Sequence, residues 1–227
     1  MVLLKNYKSL RLIGIAENTI KMLQGQLTSD IYEVTETYSQ LTAMCDEKGY
    51  VIADMFASKQ NNDFLLTLHS SKVEKVAKEL EKYLPFYKIK CEIDSKPVVG
   101  VVKNIVDRHC YFKNKQISFG LNFTDSSTGH GVDEREWKIM HWQQGIYFLQ
   151  DFIDQNQRPQ DVGFEEKRIS FSKGCYRGQE IVARMHYLNK KKTQINLVSS
   201  LQQSKVKNNL TAPILYDDRF WYLQKTT

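Results

Sequence analysis

Apolar positions along this chain fall into short alternating runs and a few stretches with helical spacing. Residues 10–15 alternate enough to predict a short strand. Asn18 is placed to cap a helix through Gln24, with Ile20, Leu23 and Leu27 roughly on one face and Gly25 as its C-terminal stop. Residues 37–45 and 50–57 alternate on either side of Asp46-Glu47-Lys48-Gly49, which predicts a β-hairpin. Residues 64–68 read as a strand. Val73, Val76, Ala77, Leu80 and Leu84 then recur at helical spacing from about 72 to 84, and Pro85 ends that run. Residues 86–93 return as a strand that carries Cys91 as a packed residue, and 98–106 form a second apolar strand.

Further along, 114–120 predict strand and turn, and 124–131 are the most loop-like stretch. Residues 134–144 predict a helix ended by Gly145, and 150–164 a polar loop. Ile169 and Phe171 alternate as in a strand. A glycine-hinged turn follows at 173–178, and a helix starts near Glu180. Residues 193–199 and 214–223 supply the last strands, with Asp217-Asp218 as a turn. The sum is an α+β chain of two interleaved subdomains over 1–188, jointed near 124–131, and a short β segment over 189–227.

Composition changes this picture little. With 227 residues, 41% hydrophobic and 26% charged, the chain is long enough for one or two cored domains. No signal peptide or membrane span is visible, so a cytoplasmic protein without a membrane partner is expected. The four cysteines, 45, 91, 110 and 175, have no CxxC spacing and read as reduced thiols. A self-contained iron–sulfur cluster would need all of them to converge, so no metal site is assigned. Charge is more telling. Residues 167–192 hold eight Lys and Arg residues and one acid, Glu180, in a chain of net charge +6. That field suits an anionic ligand or an RNA backbone, and equally a solvated surface, the Lys190–Lys192 run above all.

The centre of that field is Lys173-Gly174-Cys175-Tyr176-Arg177-Gly178-Gln179-Glu180. A thiol between two cations at a helix start favours thiolate, although a free cysteine is as often buried and inert. The octapeptide resembles the signature of the YgfZ-type folate-binding proteins, relatives of the glycine-cleavage T-protein. Leu23–Ile31 (Leu-Gln-Gly-Gln-Leu-Thr-Ser-Asp-Ile) and Pro159-Gln160 agree with that family in order, so the resemblance spans residues 8 to 190. It implies a T-protein-like fold whose C-terminal barrel is reduced to a barrel-like segment. It also implies a folate such as tetrahydrofolate as cofactor and iron–sulfur client or assembly proteins as partners, with a link to tRNA modification. A eukaryotic member would work in the mitochondrial matrix.

By the same resemblance Cys175 is a redox or ligand thiol with Lys173 beside it. Gly25, Gln26, Asp54, Trp137, Gln143, Tyr176 and Arg184 are the folate-proximal set. Trp137 offers a flat ring for stacking on a pterin, and reads equally as a core tryptophan. The chain departs from the T-protein at two points. Ala53-Asp54 stands where the enzyme has two aspartates, and Gln143 where relatives have a pterin-pairing glutamate. Both departures weigh against an aminomethyltransferase. That reading and an RNA-binding module remain alternatives to a folate-dependent accessory factor, and whether the chain is an enzyme stays open.

Overall fold

The computed structural model describes residues 1–103, 109–114, 116–123, 133–188, 194–203 and 209–226. In chain order these form β1 (Val2–Leu3), β2 (Tyr7–Ile13), α1 (Ala16–Gln26), β3 (Gln40–Cys45), β4 (Val51–Gln60), β5 (Asp63–His69), α2 (Val73–Glu81), α3 (Leu84–Tyr87), β6 (Lys90–Asp94), β7 (Val98–Lys103), β8 (Cys110–Lys113), β9 (Ser118–Phe123), α4 (Glu134–Gln143), α5 (Glu165–Arg168), α6 (Gln179–Leu188), β10 (Gln194–Ser200), β11 (Ile214–Tyr216) and β12 (Arg219–Thr226).

Three antiparallel sheets result. The central one has the order β3-β4-β5-β2-β6, a second β1-β7-β9-β8, and the third β10-β12-β11. The C-terminal strands thus make an open sheet, with no closed barrel among the described residues. The first eight residues of β4 are all buried, because the central sheet is covered on both faces. One cover is α1 and α2, whose Met22, Leu23, Val73, Val76 and Leu80 pack with Met55, Phe64 and Leu66. The other begins with Phe56 and Leu65 against Val98, Phe119 and Leu121 of the second sheet, Trp137 of α4 and Phe148 beyond it. Ala43, Cys45 and Val51 continue it against Trp142, Phe164, Val182 and Leu223.

The hairpin, the amphipathic helix and the α4 helix with its Gly145 stop (φ +67) stand where the periodicity put them. Three elements differ. Helix α1 continues through Gly25, which is not in the left-handed region, so this glycine is no cap. Pro85 opens α3 instead of ending α2, since a proline at the first helical positions lacks only an N–H that would be unpaired anyway. The strand expected over 86–93 therefore starts at Lys90. Residues 169–176 are irregular and not a strand. The proposed joint over 124–131 lies outside the described residues.

Candidate functional site

The turn at 173–178 is held against the end of α1. A helix leaves its last carbonyls without intrahelical partners. Here Lys173 Nζ donates to one of them, Gln24 O at 2.9 Å, and to two carbonyls of the chain just beyond the helix, Leu27 O at 2.7 Å and Ser29 O at 2.8 Å. Three carbonyls take the three protons of one ammonium, which holds the turn against the end of α1 and the loop that follows it. Burial pushes the Lys173 amine down to about 8, with Asp30 opposing. The carbonyl triad favours the charged form at neutral pH.

Next to it, Arg177 N donates to Gly25 O at 3.0 Å and Ser170 N to Thr28 O at 2.9 Å. Thr28 Oγ1 donates to Arg168 O at 2.6 Å and accepts from Ala43 N at 3.0 Å. The Arg177 guanidinium bridges Glu47 (2.8 Å) and Glu79 (2.7 Å), tying the turn to the β3–β4 hairpin and α2. Gly178 has φ +79, and a Cβ there would stand 2.2 Å from Asp46 O. Only glycine admits that approach. Gln179 Oε1 accepts from Tyr176 N at 3.2 Å, and Tyr176 itself is buried under the turn.

Cys175 emerges from this clamp into solvent. Cys45 and Cys110 are buried and Cys91 half-buried. Burial pushes the Cys45 thiol up to about 12 and the Cys91 thiol up to about 11. The fold therefore presents a single thiol to the outside. Neither flanking cation is bonded to it, because Lys173 is spent on carbonyls and Arg177 on carboxylates. Their role here is to brace the loop. Among the described residues no three His, Cys, Asp or Glu side chains gather as a metal site.

The remaining site candidates scatter. Gly25, Gln26, Lys173, Cys175 and Tyr176 are brought together by the clamp. Trp137 lies elsewhere and is fully buried, stacked on Phe148 at 5.3 Å and tilted on His141 at 4.0 Å. Its indole nitrogen faces Gly100, where a Cβ would come within 2.6 Å. The core reading of this tryptophan is the one the packing favours. Gln143 is exposed, and at about 100° per residue the six positions between them put the two side chains on different faces of α4. They do not line one pocket. Arg184 is exposed on α6.

Asp54 is buried. Its Oδ2 pairs with Arg168 Nη2 at 3.1 Å and its Oδ1 accepts from Leu149 N at 3.1 Å. Burial raises the Asp54 carboxyl and lowers the Arg168 guanidinium, each against the attraction of the other. Arg168 was not singled out in the sequence, where it is one more residue of a basic run. It also donates to Tyr147 O at 2.7 Å and lies 4.7 Å from the Phe164 ring centroid.

Three of the eight cations of the basic stretch are engaged inside the protein. Arg168 and Lys173 are buried and Arg177 is paired, while Lys190–Lys192 lie outside the described residues. Beside the clamp, a cleft of about 520 Å³ runs between 29–41, the end of β8 and 166–172. Ser29 joins the two, lining the cleft while its carbonyl accepts from Lys173.

No protein-family model matches the chain. It is 31% identical over 195 residues to an uncharacterized protein of Haemophilus influenzae, covering 82% of this chain and 70% of that one. It is also 27% identical over 227 residues to the tRNA-modifying protein YgfZ of Vibrio atlanticus, covering 88% and 69%. The YgfZ of Colwellia psychrerythraea is 26% identical over 237 residues, covering 88% and 71%.

The chain belongs to the YgfZ-type family.

Its fold is that of the T-protein. The crystal structure of the glycine cleavage system aminomethyltransferase T from Bartonella henselae superposes with a TM-score of 0.68 at 10% identity, over 99% of this chain and 77% of that one. The family's signature turn is, in this chain, the clamp on the C-terminus of α1. No helix among the described residues is long and apolar enough to cross a membrane.

Proposed function

We propose that the chain is a folate-binding accessory protein that supports maturation or repair of iron–sulfur enzymes, tRNA-modifying ones among them. The observation that carries this reading is Cys175, the one solvent-facing cysteine, fixed by a clamp that reaches α1, α2 and the β3–β4 hairpin. A thiol held outward suits a soft metal ligand or a redox partner on another protein. The tRNA link rests on the likeness to the tRNA-modifying YgfZ proteins of Vibrio atlanticus and Colwellia psychrerythraea.

The adjoining cleft fits a folate. Tyr38, Tyr111, Phe112 and Phe171 give flat apolar walls, and Asp30 and Glu33 give carboxylates for ring N–H groups. Lys113 and Lys167 suit the anionic glutamate tail. Bound there, the folate would supply one-carbon or pterin chemistry. The chain's own residues supply the wall and the orientation, and Ser29 links this wall to the clamp that carries Cys175.

The aminomethyl-transfer alternative is disfavoured, because Asp54 is buried and engaged with Arg168 instead of free for proton transfer. The RNA alternative loses Arg168, Lys173 and Arg177, the cations at the centre of the motif, to internal partners. In a test, Cys175→Ala keeps stability within about 0.5 kcal/mol, as an exposed substitution should, yet fails to complement a strain defective in iron–sulfur enzyme maturation. Normal complementation would remove the thiol from the function. Calorimetric titration with tetrahydrofolate is expected to saturate, and to weaken in Phe171→Ala and Lys167→Ala. A flat titration would remove the folate.

A further inference from the structure

A second cleft, of about 410 Å³, opens on another side of α5, between Gly145, Tyr147, Gln160, Gly163, Glu165 and β10. Gln160 lies in the Pro159-Gln160 block, to which neither the clamp nor the thiol gives a role. Its side chain is 6% exposed. The amide Nε2 donates to Val182 O at 2.9 Å, which fixes the orientation of the group. Its Oε1 is then a buried acceptor that no donor among the described residues satisfies. An acceptor left without a donor away from water is destabilising.

Two carboxylates line the same cleft. Glu165 is already bonded to His186 at 2.9 Å, while Glu166 is exposed and has no ion pair among the described residues. The wall is a Tyr147 ring, fixed by its hydroxyl on Ile195 O (3.4 Å) and by packing on Gly163. A Cβ at Gly163, whose φ is +68, would stand 2.9 Å from that ring. A buried carbonyl, an unpaired carboxylate and a fixed aromatic face converge in a chain that is otherwise basic.

We propose that this cleft binds a guanidinium group, as in an arginine side chain or a small guanidino compound. Its planar N–H fork donates to Gln160 Oε1 and Glu166 while its face lies along Tyr147. The site is independent of Cys175 and of the folate cleft, except that Glu166 lies on the ridge between the two clefts.

The test is a titration of the ¹⁵N-labelled full chain with arginine amide, agmatine and a Gly-Gly-Arg-Gly-Gly peptide, with citrulline amide as the neutral control. Saturable shifts are expected at the amides of Gly145, Gly163 and Ile195, and none with citrulline amide. Tighter binding of the peptide would assign the site to a partner protein's arginine, and tighter binding of agmatine to a small molecule. Glu166→Gln, an exposed change that preserves the fold, and Gln160→Leu should each weaken binding about tenfold. No saturable shift, an equal response to citrulline amide, or unchanged affinity in both variants overturns the proposal. Because Gln160 does not line the folate cleft, loss of arginine binding in Gln160→Leu with tetrahydrofolate binding retained separates the two sites.

Discussion

The clearest effects at the residue scale come from side chains whose surroundings allow one chemistry only. Lys173→Met removes the donor for three carbonyls at once, two of them in a buried setting. Hydrogen bonds to a charged group contribute about 1.5–3 kcal/mol each, not additively, so a loss of about 3 kcal/mol in urea unfolding is expected. Lys173→Arg should not restore it, because a planar fork cannot aim at three carbonyls around one point. Gly178→Ala meets Asp46 O and a left-handed backbone together. It should destabilise by more than about 2 kcal/mol and displace the Cys175 loop without touching the thiol.

His141 sets a pH dependence. It is buried between Trp137 O (2.6 Å from Nδ1) and Tyr111 Oη (2.8 Å from Nε2), an arrangement that suits the neutral ring. Burial pushes the imidazole down to about 3. An unfolded histidine takes its proton near 6.5, so between pH about 6.5 and 3 unfolding takes up a proton and stability falls as pH falls. The slope reaches about 1.4 kcal/mol per pH unit. His141→Gln is expected to be less stable at pH 7 but to lose less on going to pH 5, as read by denaturant midpoints at the two pH values.

At the scale of elements, the Asp54–Arg168 pair joins β4 to the end of α5 and the 147–149 segment. Both charges are desolvated, so the pair adds little net stability, but half of it is a liability. Arg168→Met should cost about 3–5 kcal/mol by leaving the Asp54 carboxylate unpaired. Adding Asp54→Leu should recover part of that loss, and a double-mutant cycle in urea measures the coupling. This is also the scale at which reading the sequence worked best. The hairpin, α2 and α4 follow from periodicity plus Gly and Asp punctuation, because those signals act within a few residues. It worked worst at Gly25 and Pro85, where a local rule has two outcomes and a distant partner chooses between them. At the end of α1, Lys173 and Arg177 N bond the carbonyls of Gln24 and Gly25 from far along the chain.

Across the whole molecule, the fold sorts four similar thiols into one outside and three covered to different degrees. Reaction of the native chain with a disulfide reagent should release about one equivalent fast, all of it lost in Cys175→Ser, and the rest only slowly or on unfolding. An equal fast release from that variant would show that the clamp does not select the thiol. The fold brings the N-terminal block over 23–31 and the turn at 173–178 together. They are 144 to 149 residues apart in the chain and bonded directly in the fold.

The sequence by itself determined the α+β class, the positions of most elements and the family. Each of these follows from local spacing or from a contiguous motif. Only the tertiary structure decided that Lys173 and Arg177 brace the turn, that Trp137 is core, that Gln143 points elsewhere and that Arg168 answers Asp54. The reason is physical. Periodicity records which face of an element is apolar, whereas the partner of a charge is fixed by packing between distant segments, and burial sets what that charge can still do.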